Sequence, residues 1–236
     1  MKAKIDLSNA ADTYYNQGLN YAADTYFAKG LEDFRILLEK DPSNPETYSQ
    51  LGIHFIKCEN YVDAIIAIRE AIRLSPQSPE YYMHAGVAYY KQGNYLQAIK
   101  LFRKATSLKR DYVEVYFRLA HCYEMLNDPE LIHKACAAYR QYLYYQPNEV
   151  VAMVALGTTY GMAGRYDQSI ATFERAEELC LDDPFLNYNK GNSYYHKGNY
   201  MKAMMAYEKA LELLPEFEQA QTNLELARKA FRNRGK

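Results

Sequence analysis

A chain of 236 residues with a formal net charge of −1 has no basic surplus to offer phosphates, which argues against a nucleic-acid partner. With 49% apolar residues it can bury a substantial core, which argues against disorder. It has no run of about 18 apolar residues, so membrane insertion is not expected; Met1 to Ala10 lack the apolar stretch of a secretory signal, so a cytoplasmic protein or the soluble part of an intracellular assembly is expected.

A polar lead-in, 1–10, precedes one pattern laid down six times. Residues 11–44 carry Gly18, Tyr21, Gly30 and Phe34. The same offsets hold Gly52, Phe55, Ala64 and Ile68 in 45–78, and Gly86, Tyr89, Ala98 and Phe102 in 79–112. Segment 113–149 has Ala120 and Tyr123, then three extra residues within Asp128 to Lys134, then Ala135 and Tyr139. Segment 150–183 has Gly157, Tyr160, Ser169 and Phe173, and 184–217 has Gly191, Tyr194, Ala203 and Tyr207. A closing proline stands at Pro42, Pro76, Pro147 and Pro215, with Arg110 and Leu181 in the other two places. Helix starts are marked by a capping residue before proline: Asn44-Pro45, Ser78-Pro79, Asp128-Pro129 and Asp183-Pro184. Over 218–236, Ala220, Leu224, Ala227 and Phe231 keep helical spacing. The small and aromatic columns fall there on Glu225 and Arg228, so this segment reads as a solvated capping helix with a basic tail, Arg228 to Lys236.

The pattern resembles the tetratricopeptide repeat (TPR), a helix–turn–helix unit of about 34 residues. Six units and one insertion span Ala11 to Phe217. The resemblance implies an all-α fold, a right-handed superhelical solenoid of helix–turn–helix units. A Gly or Ala in each first helix lets the second approach closely, and aromatics fill the space around the contact. The fourth unit deviates. Its insertion is expected to lengthen the second helix by nearly one turn. Where other units carry Ala71, Ala105, Ala176 and Ala210, it has Tyr142, and the first unit has Leu37. Bulk at that column is expected to push neighbouring units apart unless the surrounding packing compensates; in the fourth unit the alternative is a second, outward-facing contact site with Tyr139, Tyr144 and Tyr145.

Catalytic chemistry is not expected. Cys58, Cys122, Cys136 and Cys180 form no Cys-x-x-Cys pair and read as buried thiols of a reducing compartment. His54 with Cys58, and His133 with Cys136, each offer half a metal site that nothing completes, so no metal or other cofactor is expected. No Gly-rich phosphate loop, H-E-x-x-H or G-x-S-x-G occurs.

Function is then expected at a surface, and the partner is expected to be a protein or peptide. In the family resembled, the first helix of each unit lines a concave groove. The resemblance carries this role onto Tyr15, Met83, Phe117 and Tyr188, three residues before the small column. It carries it onto Leu19, Ile53, Val87, His121 and Asn192 just after that column, onto Ile56, Tyr90 and Tyr195 three further on, and onto Lys91 and Met125 next. Met83, Val87, Tyr90, Phe117, His121 and Met125 read as an apolar patch suited to an apolar or amphipathic segment. The carboxylate clamp of chaperone-binding members needs Lys and Asn in the first two of these columns. They hold no Lys, and Asn192 is their one Asn, so an acidic C-terminal tail is disfavoured as ligand. Asp12, Glu46, Glu80 and Glu114 begin the first helices, as partners of the helix dipole or as a charged rim for a basic segment. The reading is a non-enzymatic scaffold or adaptor. The alternatives are a structural subunit or self-associating array using convex and edge tyrosines, and a chaperone for a secreted client; the sequence does not fix the oligomeric state.

Overall fold

A computed structural model describes residues 21–179 and 183–233, with side chains from residue 30 onward. Tyr15, Leu19 and Cys180 lie outside these described residues. The described residues form twelve helices: α1 Tyr21–Lys40, α2 Pro45–Lys57, α3 Tyr61–Leu74, α4 Pro79–Lys91, α5 Tyr95–Leu108, α6 Val113–Met125, α7 Pro129–Tyr145, α8 Val150–Met162, α9 Tyr166–Leu179, α10 Pro184–His196, α11 Tyr200–Leu213 and α12 Glu218–Asn233. They are all-α, with successive helices packed as helix–turn–helix pairs. None is long and apolar enough to cross a membrane. The chain divides into two compact units, Met1–Val115 and Tyr116–Lys236, the division falling inside α6.

Within four of the pairs the second helix drives one bulky side chain against a glycine of the first. A Cβ on Gly52 would lie 2.3 Å from Ile68. On Gly86 it would lie 2.5 Å from Phe102, on Gly157 2.8 Å from Phe173 and on Gly191 2.6 Å from Tyr207. The four bulky partners are fully or almost fully buried. Ala71, Ala105, Ala176 and Ala210, one turn further along the second helices, are fully buried as well, and Ala71 packs with Tyr81 and Ala85 of the next pair.

The turns between paired helices need one residue in the left-handed region. Gly93, Gly164 and Gly198 take it at φ 80, 70 and 81, and Glu59 and Asn127 take it at 59 and 48. Asn60, Asn94 and Asn199 follow three of them, each accepting from the backbone N–H three residues on. The first helices start on Asn44, which accepts from Glu46 and Thr47, and Asp183, which accepts from Phe185 and Leu186. Asp128 caps α7 by accepting from Glu130. Ser78 departs from the expected cap: its hydroxyl donates to Glu80 Oε2 at 2.9 Å and no side-chain bond caps the helix.

The first unit departs further. α1 runs unbroken through residues 24–26, the positions where the later pairs turn. Thr25 stands where the others place a left-handed residue, and a β-branched side chain resists that conformation. Tyr26 replaces the capping Asn. The docking of α1 changes with it. Asp33 and Leu37 occupy columns that are buried alanine at Ala67 and Ala71, and both are exposed, Leu37 by 47%. α1 instead turns Gly30 onto the His54 ring, where a Cβ would lie 2.4 Å away, and packs Leu31, Phe34 and Leu38 into the cluster around Leu51 and Phe55.

In the fourth repeat α7 has 17 residues where α3, α5, α9 and α11 have 14, so the insertion does lengthen the second helix by nearly one turn. In the last repeat, Lys190 takes the column of Leu51, Ala85, Leu119 and Leu156. It is buried and donates to Glu177 Oε2 at 2.6 Å, while Lys209 donates to Glu177 Oε1 at 2.6 Å.

Gly86→Ala is expected to lower unfolding free energy by about 1–3 kcal/mol, because the Phe102 ring must move, read as a shift of the urea midpoint. Glu177→Gln strands the buried Lys190 and is expected to cost on the order of 3 kcal/mol, whereas Lys190→Leu, which restores the apolar column, is neutral or stabilising in the same titration.

Candidate protein-binding face

The first helices of successive pairs touch, α2 with α4 in one unit and α8 with α10 and α10 with α12 in the other. Among the described residues, second helices of successive pairs come into no comparable contact. The first helices therefore stand side by side within each unit, and the expected contact residues lie along them.

In the unit Met1–Val115, Ile53, Ile56, Met83, Val87 and Tyr90 are half-buried and Lys91 is exposed. Ile56 also packs against apolar clusters on both sides of α2. The Tyr90 ring lies edge-on to Tyr95 at 5.7 Å. Ser49, the α2 residue of the same column as Met83, is fully buried with its hydroxyl 3.0 Å from His84 Nδ1. Burial lowers the His84 pKa, opposed by the charges of Glu46 and Glu80. Glu46 also accepts from the Tyr81 hydroxyl at 3.3 Å and from Gln50, so this member of the acidic row is engaged within the protein.

In the unit Tyr116–Lys236, the expected contact residues fall into two kinds. Phe117 is held edge-on by Tyr139 at 5.3 Å and Tyr142 at 5.4 Å. Tyr188 lies between Phe217 at 4.8 Å and Tyr207 at 6.0 Å. Asn192 Oδ1 accepts from the Tyr207 hydroxyl and from Asn223 Nδ2, both at 2.8 Å. Tyr195 packs on Tyr200 at 5.4 Å. Glu124 accepts from the Tyr139 hydroxyl at 2.8 Å and from Thr159 Oγ1 at 2.5 Å, tying α6 to α8. His121 is half-buried, and Met125, by contrast with the partnered residues, is 48% exposed. Met162, at the matching position of α8, is 53% exposed and belongs with them. So does Leu226 of α12, exposed one repeat length after Asn192. Reading that segment only as a cap hid Leu226, although its spacing from Asn192 was visible.

Cys122 is buried and its thiol is pushed up to about 12 by burial; Cys136 and Cys58 are raised for the same reason, so all three are poor nucleophiles. Among the described residues no three His, Cys, Asp or Glu side chains gather as a metal site.

Family models described as tetratricopeptide repeat match residues 15–79, 150–183 and 186–217, and one described as TPR repeat matches 86–127. No curated protein matches the sequence. Among solved structures the chain is similar to YrrB, described as a TPR protein with an unusual peptide-binding site, with 21% identity and a TM-score of 0.73 over 80% of this chain and 96% of that one. It is also similar to MamA of Desulfovibrio magneticus RS-1, at 18% identity and a TM-score of 0.66 over 73% and 96%. Another MamA structure shares 25% identity with a TM-score of 0.58 over 66% and 93%.

His84 is neutral when folded and its pKa is depressed, so its contribution is present above the unfolded imidazole value of about 6.5 and lost as pH falls through the folded value. Denaturant midpoints measured from pH 7.5 to 5 are expected to fall more steeply for the natural protein than for His84→Gln.

Proposed function

Because the chain belongs to the tetratricopeptide-repeat family, we propose that it is a non-enzymatic scaffold that binds an apolar or amphipathic segment of another protein on the inner faces of its first helices. The observation that carries the reading is the pair Met125 and Met162, at matching positions of successive first helices and each about half exposed. Thioethers there gain by burial and adapt to varied partners. Met83, Val87, Tyr90 and His121 extend the same kind of surface within their own units, and Ile53 and Tyr195 stand at its margins. Phe117, Tyr188, Asn192 and Ile56 serve the site by shaping it, since their side chains already pack or hydrogen-bond within the fold. The fold similarity to YrrB, whose description names a peptide-binding site, supports the same reading. A near-neutral charge fits a protein partner and not a nucleic acid. The three cysteines among the described residues are free thiols, which fits a cytoplasmic setting.

A second reading, a structural subunit docking through an outer edge, is favoured by Tyr144. It is 76% exposed and stands edge-on to Tyr145, which in turn stacks on Tyr116. The two readings separate by substitution at exposed positions that the fold does not need. With partners captured from native cells by crosslinking, Met125→Glu and Met162→Glu are each expected to reduce recovery of the specific partner at least about tenfold, each replacing an anchor worth roughly 1.5–3 kcal/mol. Tyr144→Glu is expected to leave recovery unchanged. The reverse result assigns binding to the outer edge.

A further inference from the structure

α8 is the one helix among those described with no charged residue along its length. Its buried side is Ala152, Met153, Leu156, Gly157, Thr159 and Tyr160. Its open side is apolar too, from Val151, 64% exposed, through Val154, Ala155, Thr158 and Gly161 to Met162. These positions recur at three and four residues, so they form one stripe about 16 Å long parallel to the helix axis. A helix apolar all round is ordinarily covered all round. The stripe is also low. Where α8 has Val154 and Gly161, α10 on one side has Tyr188 and Tyr195, and α6 on the other has Phe117 and Glu124. A Cβ on Gly161 would meet only the hydroxyls of Ser169 and Ser193, both at 3.6 Å, so nothing within the fold requires glycine there.

We infer that α8 is the floor of a trough that takes a partner segment as an α-helix lying lengthwise along it. The inference rests on the inner-face reading above and fixes the conformation and chemistry of the ligand. Neighbouring helices pack about 8–10 Å apart, so walls one helix to either side of α8 leave a channel suited to a single helix of about 10 Å diameter. An extended chain would leave most of that width to water. The uncharged floor selects a helix face without charge, and the stripe's length matches about three turns. Small residues at its centre allow close backbone approach, and the methionine and valine at the two ends grip the ligand's first and last turns.

The test uses the full chain and two fluorescein-labelled peptides of 14 residues and identical composition. One is an alanine-rich amphipathic helix with leucine at i, i+3, i+4, i+7 and i+11 and a proline at its first position. The other carries that proline at its centre, where it breaks the helix. Fluorescence anisotropy is expected to show the helical peptide binding at least about tenfold more tightly than its isomer. Gly161→Tyr, which installs the residue that Tyr90 and Tyr195 provide elsewhere, is expected to abolish binding while circular dichroism stays unchanged. Leu96→Glu, at a 60% exposed position of the second helix α5, is expected to leave binding intact. Equal binding of both peptides, binding that survives Gly161→Tyr, or no binding of either peptide at 1 mM overturns the inference. Equal binding that Gly161→Tyr nevertheless blocks overturns the helical ligand alone and leaves the inner-face reading standing; partner recovery insensitive to Met125→Glu and Met162→Glu removes that reading itself.

Discussion

The rest of the structure depends on one contact, repeated in four of the pairs, a bulky side chain of the second helix set against a glycine of the first. At Gly52, Gly86, Gly157 and Gly191 the clearance is smaller than a methyl group tolerates. Burial of Ile68, Phe102, Phe173 and Tyr207 at these points fixes the rotation of each first helix about its own axis. That rotation decides which residues are left on the open side. The packed stripe and the open stripe of a first helix are opposite faces of one cylinder, so the core sets the binding face without touching a ligand. Two tyrosines of the same column, Tyr207 and the fourth repeat's Tyr139, carry the link further. The hydroxyls of Tyr139 and Tyr207 pass through the core to Glu124 and Asn192, orienting the polar groups of the open side from beneath.

This explains what could be read from sequence. A column occupied by glycine and, sixteen positions on, by a large side chain is a steric statement, and steric statements survive in a single sequence. The alanine column, the closing prolines and most caps are legible for the same reason. The failures have a common origin too. Ser78 had the right type for a cap, but Glu80 competes for its hydroxyl, and side-chain competition leaves no mark in a residue pattern. α1 kept Gly30 and Phe34, yet the turn residue and two docking alanines had been replaced by Thr25, Asp33 and Leu37. Those three replacements were visible, but their joint effect, an unbroken helix rotated onto His54, is a balance among packings that column matching does not weigh.

The candidate site was legible only as a row of positions. Spacing names the residues on the open side of a first helix, not which of them the fold has already used. Phe117 is consumed by Tyr139 and Tyr142, and Tyr188 by Tyr207 and Phe217, because aromatic rings next to a helix boundary find partners across it. Met125 and Met162, at the last turn of their helices, stay about half exposed. Distinguishing the two kinds of position requires the neighbours, and the neighbours come from other repeats.

The fourth repeat shows how far the arrangement bends without breaking. Its three extra residues enter ahead of Ala135, at the start of α7, so every packing column after them keeps its internal spacing. The large Tyr142, standing where buried alanine is the rule, is accommodated differently. It swings against Phe117, itself a residue of the open side. Bulk that would have forced two helices apart is thereby used to prop an aromatic wall beside α8. In the proposed trough, the bulk that departs from the alanine rule in one repeat thus adds height to the edge of the apolar stripe on the next.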